Sequence, residues 1–279
     1  MLKRKIKIRD TSFKHCLYSN NPLPPVSFCE HFEWDWSTSP PDKNEVVFYT
    51  DGKLEEGVKD STGTKICWLL EPLEVLPNSY ARILHYHTSF KYVFTHEKEL
   101  LNLGKNFRYV PFGGCWIKDE DQKVHDKTKL VSIIASSKNY LTGHKLRHDV
   151  VSAYGSVMDV LGNGYTSIPE KIDGLRDYMF SVVIENCKRD YFFTEKLIDT
   201  LITGTVPIYW GCPSIGDFFN TKGFIVTDSL DDVGKALSNL SPEMYREMLP
   251  YITENQEKAK NYILAENYIF DNYLETGEL

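Results

Sequence analysis

Between residues 130 and 240 the chain repeats one pattern: a short, near-continuous apolar run, then a stretch whose apolar residues recur at helical spacing. Leu130 to Ala135, Tyr178 to Ile184, Val206 to Trp210 and Gly223 to Val226 read as strands. Leu141 to Tyr154, Thr194 to Thr203 and Leu230 to Leu240 read as helices. Strands without polar alternation are buried on both faces, and strands that alternate with helices form parallel sheets covered by those helices. The first half repeats this less regularly, with strands expected at Lys5 to Ile8, Glu45 to Tyr49, Lys65 to Leu70, Tyr92 to Thr95 and Phe107 to Val110, and helices at Ser79 to His87 and His96 to Asn102. After Ser241 the chain reads as helical nearly to its end. The charged stretch from Trp116 to Lys129 reads as a linker, so the expected fold is α/β, with two Rossmann-like domains, residues 1–120 and 121–279, facing across a cleft. A chain of 279 residues, 42% hydrophobic, is long enough for two such cores.

A net charge of -7 disfavours nucleic acid and anionic membranes as partners. No run approaches the length of a transmembrane segment, and MLKRKIKIRD alternates charge with Ile instead of offering an apolar signal core. Six cysteines (Cys16, Cys29, Cys67, Cys115, Cys187 and Cys212), with no C-x-x-C pair, read as free thiols in a reducing, cytoplasmic setting.

Charge is concentrated in one turn. Residues 185 to 196, E-N-C-K-R-D-Y-F-F-T-E-K, join an expected strand to an expected helix, where a turn needs only small or polar residues. At the carboxyl edge of a parallel sheet such a loop is the usual ligand site of doubly wound folds. Amides at the helix start and the Lys196 ammonium favour a diphosphate, whereas Glu195 would repel phosphate and suits sugar hydroxyls. A nucleotide bearing a ribose and a diphosphate meets both demands.

The segment FSVVIENCKRDYFFTEKLIDTLITGTVPIYWGCPSIGDFFN resembles the donor-binding signature of glycosyltransferase family ten, the alpha-1,3-fucosyltransferases, with the spacing from Asn186 to Glu195 and Lys196 intact. A weaker likeness runs through most of residues 65 to 260, and none is visible in the first sixty. The resemblance implies a GT-B glycosyltransferase fold, inverting transfer of fucose from GDP-fucose to a glycan or lipid-linked acceptor, and no metal or other cofactor. It places Asn186, Glu195 and Lys196 on the nucleotide sugar, with Glu195 on the ribose and Lys196 on phosphate. Arg147 in H-K-L-R-H resembles the arginine that reaches the diphosphate, and Glu71 in W-L-L-E-P resembles the general base, with Glu74 three residues on as the competing carboxylate. Where the family commonly has Tyr, this chain has Phe192 beside Tyr191; both rings are expected at the donor, and the substitution leaves the sugar's identity open.

The alternatives are a sugar-nucleotide or glycan-binding protein of the same fold without turnover, and a transferase using another nucleotide sugar. A dinucleotide-dependent oxidoreductase is disfavoured because no G-x-G-x-x-G follows an early strand. Asp119-Glu120-Asp121 has the D-x-D form of a metal-diphosphate site but lies in the charged stretch, and His85 and His87 are two apart on an expected helix, so neither pattern is read as a metal site. Gly113-Gly114 reads as a turn that lets backbone approach closely.

Overall fold

The computed structural model describes residues 4–10 and 29–277; Cys16 lies outside them. The chain divides into two compact units, one of residues 1–112 with 264–279, the other of residues 113–263.

The first unit holds a six-stranded parallel sheet. Its strands are β1 (Arg4–Arg9), β2 (Phe32–Asp35), β3 (Val46–Thr50), β4 (Thr64–Trp68), β5 (Tyr92–Thr95) and β6 (Phe107–Tyr109), in the order β2-β1-β3-β4-β5-β6. Every residue of β3 is buried, as a central strand covered on both faces requires. Val46 and Phe48 point into one apolar cluster with Ile66, Trp68 and Phe94, while Val47 and Tyr49 point into the other with Cys67, Val93 and Ile83. Helix α1 (Leu54–Lys59) is six residues long and passes so close to the sheet that a Cβ on Gly57 would meet the Tyr49 and Phe90 rings. Helices α2 (Pro77–Tyr86) and α3 (Lys98–Leu101) follow β4 and β5.

The second unit holds a five-stranded parallel sheet. It consists of β7 (Lys129–Ile134), β8 (Asp159–Leu161), β9 (Tyr178–Ile184), β10 (Val206–Trp210) and β11 (Ile225–Val226), in the order β11-β10-β9-β7-β8. Helices α4 (Thr142–Tyr154), α5 (Glu195–Ile202), α6 (Leu230–Ser238) and α7 (Pro242–Ala259) connect and cover these strands. Leu197, Ile198, Leu201 and Ile202 of α5 are fully buried in the same cluster as Phe180, Val182, Val206 and Ile208. Four buried aliphatic side chains of that kind stabilise such a helix by roughly 1.5–3 kcal/mol each against exposure. The hydroxyls of Ser229 and Ser241 accept the amides of Asp232 and Met244 and so start α6 and α7.

Two boundaries differ from the sequence reading. The stretch from Trp116 to Lys129 is not a linker but part of the second unit: Ile117 is in its core, the Trp116 amide donates to Asp199, and Lys127 Nζ donates to the carbonyls of Leu175, Arg176 and Thr203 and to Thr205 Oγ1. Charge there serves internal bonding, which composition alone does not reveal. The second difference is that the C-terminal segment does not stay with the second unit. Helix α8 (Ala265–Ile269) and the turn after it place Ala265, Ile269, Tyr273 and Leu274 in the core of the first unit, where Trp34 Nε1 donates to Glu266 at 3.1 Å. Strands β2 and β8 and helix α1 were not anticipated.

Candidate functional site

In the second unit the site residues gather where β9 ends. Glu185, the first residue beyond the strand, is fully buried, and its two oxygens accept from the backbone amide and the hydroxyl of Thr194, at 2.8 and 2.7 Å. The segment between the two residues is thereby closed into a loop by one side chain. Thr194 in turn caps α5, its hydroxyl accepting from the Lys196 amide. Burial raises the Glu185 carboxyl above its ordinary range, an effect opposed by Lys196, whose ammonium lies 3.9 Å away.

The start of the loop is held from α4. Arg147 is buried; its Nε donates to Ile184 O and its Nη2 to Asn186 Oδ1, at 3.0 and 2.7 Å. The Gly143 amide donates to Asn186 O, and a Cβ on Gly143 would overlap the Glu185 carbonyl, so this close approach requires glycine. His144 beside them is lowered to about 4, first by burial and then by Arg147, and is neutral at pH 7.

Lys196 Nζ lies 3.0 Å from Glu195 and 3.1 Å from the Thr194 hydroxyl. One helical turn on, buried Asp199 accepts from the Trp116 amide and pairs with Lys171 at 2.5 Å. Burial by itself would lower the Lys171 ammonium, but the Asp199 charge beside it prevails and raises it. Lys171, Ser181, Lys196 and Thr200 line a cavity of about 30 Å³ between α5 and β9, large enough to hold an ordered water.

The structure thus brings Arg147, Asn186, Glu195 and Lys196 together around one loop. The amides expected to be open at the start of α5 are engaged: that of Thr194 with Glu185, that of Lys196 with Thr194, and those of Leu197 and Ile198 with the Thr194 carbonyl. Positive charge for a ligand therefore resides on the side chains of Lys196 and Arg147. Of the two aromatic candidates, Phe192 is 1% exposed and offers no ring face in this conformation. Tyr191 is half-buried, adopts φ +63°, gives its amide to Ser214 Oγ and packs edge-on against Phe218. Part of the loop's surplus charge is spent at the surface, where Lys188 pairs with Asp228.

Glu71 lies in the first unit, three residues past the end of β4, and is half-buried; Glu74 is exposed in the turn that follows. The Glu71 amide donates to Asp51 and its carbonyl accepts from the Tyr80 hydroxyl. The competing patterns have other occupations. Asp121 pairs with Arg176, Asp119 accepts from Gln122, and His87 bonds Asn106. Gly113, at φ +56°, and Gly114 donate their amides to Phe193 O and Tyr262 O. Among the described residues there is no group of three His, Cys, Asp or Glu placed to hold a metal. Nor is any of their helices long and apolar enough to cross a membrane.

Sequence reasoning missed Glu185 as an anchor, although it stands in the quoted motif, because it was read with the exposed charges. It missed Lys171 and Asp199 because their pairing joins residues that no local pattern connects.

Comparison with known proteins identifies the family and the fold. The profile described as glycosyltransferase family 10 (fucosyltransferase) C-term matches residues 124–263, half of the chain. The chain belongs to glycosyltransferase family 10. It is 26% identical over 162 residues to the alpha-(1,3)-fucosyltransferase FucT of Helicobacter pylori, over 56% of this chain and 32% of that protein. It is 29% identical over 129 residues to alpha-(1,3)-fucosyltransferase B of Drosophila melanogaster, over 42% and 27%. This family 10 chain thus matches about a third or less of the length of these curated relatives. A crystal structure of an alpha1,3-fucosyltransferase superposes with a TM-score of 0.58 at 16% identity, covering 97% of this chain and 91% of that one. The same coverage holds at a TM-score of 0.56 and 17% identity for an alpha1,3-fucosyltransferase solved with GDP-fucose. At such identities the likeness establishes the fold, which is the two-domain GT-B fold.

Proposed function

We propose that this family 10 chain is an inverting, metal-independent fucosyltransferase that moves fucose from GDP-fucose to a hydroxyl of a glycan or lipid-linked acceptor. The observation that carries the proposal is the loop from Glu185 to Lys196, anchored at both ends, which gathers two cations, an amide side chain and a carboxylate in the family's donor-binding segment. Lys196 and Arg147 meet the diphosphate, Glu195 accepts from the ribose hydroxyls, and Asn186 fixes the entry of the loop. Lys196 exchanges its contact with Glu195 for a phosphate oxygen, which frees the carboxylate for the ribose. Tyr191 supplies the ring beside the donor.

The chemistry needs a base and a stabilised leaving group. The acceptor oxygen bonds to C1 of the sugar as the bond from C1 to the diphosphate breaks. The hydroxyl proton passes to Glu71, and GDP departs with the bonding electrons. Charge grows on the diphosphate as the bond breaks, and each well-placed cation or donor there is worth roughly 3 kcal/mol. The two side-chain cations occupy the role a metal would play, so EDTA leaves turnover unchanged. The buried thiols of Cys67 and Cys212 favour a reducing, cytoplasmic setting.

Titration with GDP, UDP and GDP-fucose, followed by release of GDP from GDP-fucose with water or an oligosaccharide panel as acceptor, tests this reading. GDP and GDP-fucose are expected to stabilise the protein well beyond UDP. Glu71→Gln is expected to lower kcat by about a hundredfold with the GDP-fucose Kd nearly unchanged. Equal stabilisation by GDP and UDP would remove the guanine assignment, and donor binding with no turnover on any acceptor would favour a binding protein of the same fold. If Glu74→Gln loses activity and Glu71→Gln keeps it, the base is Glu74.

A further inference from the structure

We propose that Asp51 is the positioning residue for the Glu71 carboxylate, holding the two peptide groups that lead into it; the inference rests on the reading of Glu71 as the base. Asp51 directly follows β3, is fully buried, and adopts φ +40°, in the left-handed region that side chains other than glycine seldom enter. Its two oxygens accept from consecutive amides on the neighbouring strand's exit, Leu70 at 2.9 Å and Glu71 at 3.4 Å. Its own carbonyl accepts from Ser79 Oγ at 3.3 Å, which ties the same residue to α2.

The carbonyls of that segment are held as well. His96, buried, gives Nε2–H to Leu70 O at 3.0 Å, and Tyr80 gives its hydroxyl to Glu71 O at 2.9 Å. The Leu69 amide, one residue earlier, donates to Phe94 O. Both the N–H and the C=O of Leu70 and of Glu71 therefore have fixed partners, and Pro72 follows directly. The backbone beneath the Glu71 side chain has little freedom to drift.

Residue type is informative here. Glycine would take φ +40° without strain, and burying a carboxylate is costly. What an aspartate adds is two oxygens on one carbon, which accept two successive amides at once; asparagine offers one oxygen, and its NH₂ would confront the second N–H. Strain and burial at one residue, both directed at the segment that carries the base, are the pattern of a preorganised site. A base acts only within hydrogen-bond reach of its proton, and a displacement of about 1 Å costs up to a hundredfold in rate.

The experiment compares Asp51→Asn, Asp51→Gly and Glu71→Gln, alone and combined, in the full chain. Both substitutes tolerate the left-handed backbone, so neither introduces strain. Measured are kcat for GDP release from GDP-fucose, the Kd for GDP, and hydrogen exchange at the Leu70 and Glu71 amides. The expected results are a roughly tenfold loss of kcat for Asn, a loss approaching about a hundredfold for Gly, and GDP affinity within about twofold of wild type. Exchange at both amides accelerates, and in the Glu71→Gln background Asp51→Asn costs less than about twofold more. The proposal is overturned if the Asp51 variants turn over at the wild-type rate, if GDP affinity falls in step with kcat, or if neither variant folds, which would make Asp51 a stability element. Wild-type activity in Glu71→Gln would instead remove the base reading and this inference with it. An inactive Glu71→Gln beside fully active Asp51 variants would remove the inference alone.

Discussion

The loop after β9 and the loop after β4 both leave parallel strands at their carboxyl ends, and each is held by a buried carboxylate that accepts two hydrogen bonds. In the second unit Glu185 holds Thr194, nine residues away in the same segment. In the first unit Asp51 holds Leu70 and Glu71 from the adjacent strand, 19 and 20 residues away. A loop anchored to itself carries its geometry within one stretch of sequence. A loop anchored from a neighbouring strand depends on the sheet being assembled correctly. The first arrangement suits donor recognition, where several groups must keep fixed spacing; the second suits a single side chain whose position is defined against the sheet.

The largest effect expected from this contrast is on Glu185. Glu185→Ala leaves the buried Thr194 amide and hydroxyl without their acceptor and removes the anion beside Lys196, a loss of about 2–3 kcal/mol or more. GDP affinity is expected to fall by about a hundredfold by calorimetry, with exchange at Leu70 and Glu71 unchanged. A parallel change at those two amides would show that the anchors are not independent.

Lys196→Ala should act more narrowly. GDP affinity is expected to fall about tenfold while guanosine binding changes little, because a point charge on phosphate is lost and the loop anchor is kept. Equal losses for the two ligands would place Lys196 away from the diphosphate and leave charge recognition to Arg147.

How much of this was legible follows the same division. Val206 to Trp210 and Tyr178 to Ile184 were readable because strands buried on both faces are apolar runs, and Asn186, Glu195 and Lys196 because their spacing lies within one segment. β2 was not, since F-E-W-D alternates at a sheet edge in only four residues, and α1 is too short for helical periodicity. The charges from Trp116 to Lys129 misled because composition reports polarity but not partners; Lys127 is surrounded by oxygens contributed by residues 175 to 205. Asp51 is an unremarked Asp before Gly in sequence, and its left-handed backbone and two amide partners exist only once β3 and β4 lie side by side.

The smallest effect is in acid. Asp35 in the first unit is held below its ordinary range first by the Ser37 amide and also by Lys7; burial would raise Asp60, but bonds from Tyr49 and Thr62 prevail and lower it. Depressed carboxyls stabilise the fold above about pH 4 and lose that contribution as pH falls further. Glu185 is shifted the opposite way, so the folded second unit takes up its proton before the unfolded chain does, and acidification toward pH 4 adds to its stability there. Hydrogen exchange between pH 5 and 3 should therefore show β1 to β4 losing protection before β9 and α5. The reverse order would mean that the ionised Glu185 anchor outweighs its burial.

The return of residues 264–279 to the first unit has a consequence for biosynthesis. A chain emerging from the ribosome presents β1 to β6 early, yet the partners of Trp34 and Phe94, Glu266 and Tyr273, follow only after the whole second unit. The second unit, continuous in sequence from 113 to 263, has all its residues available before them. Of the two units, the one whose strands emerge earlier is thus the one whose core closes later, and until then one face of its sheet waits for Ala265, Ile269, Tyr273 and Leu274.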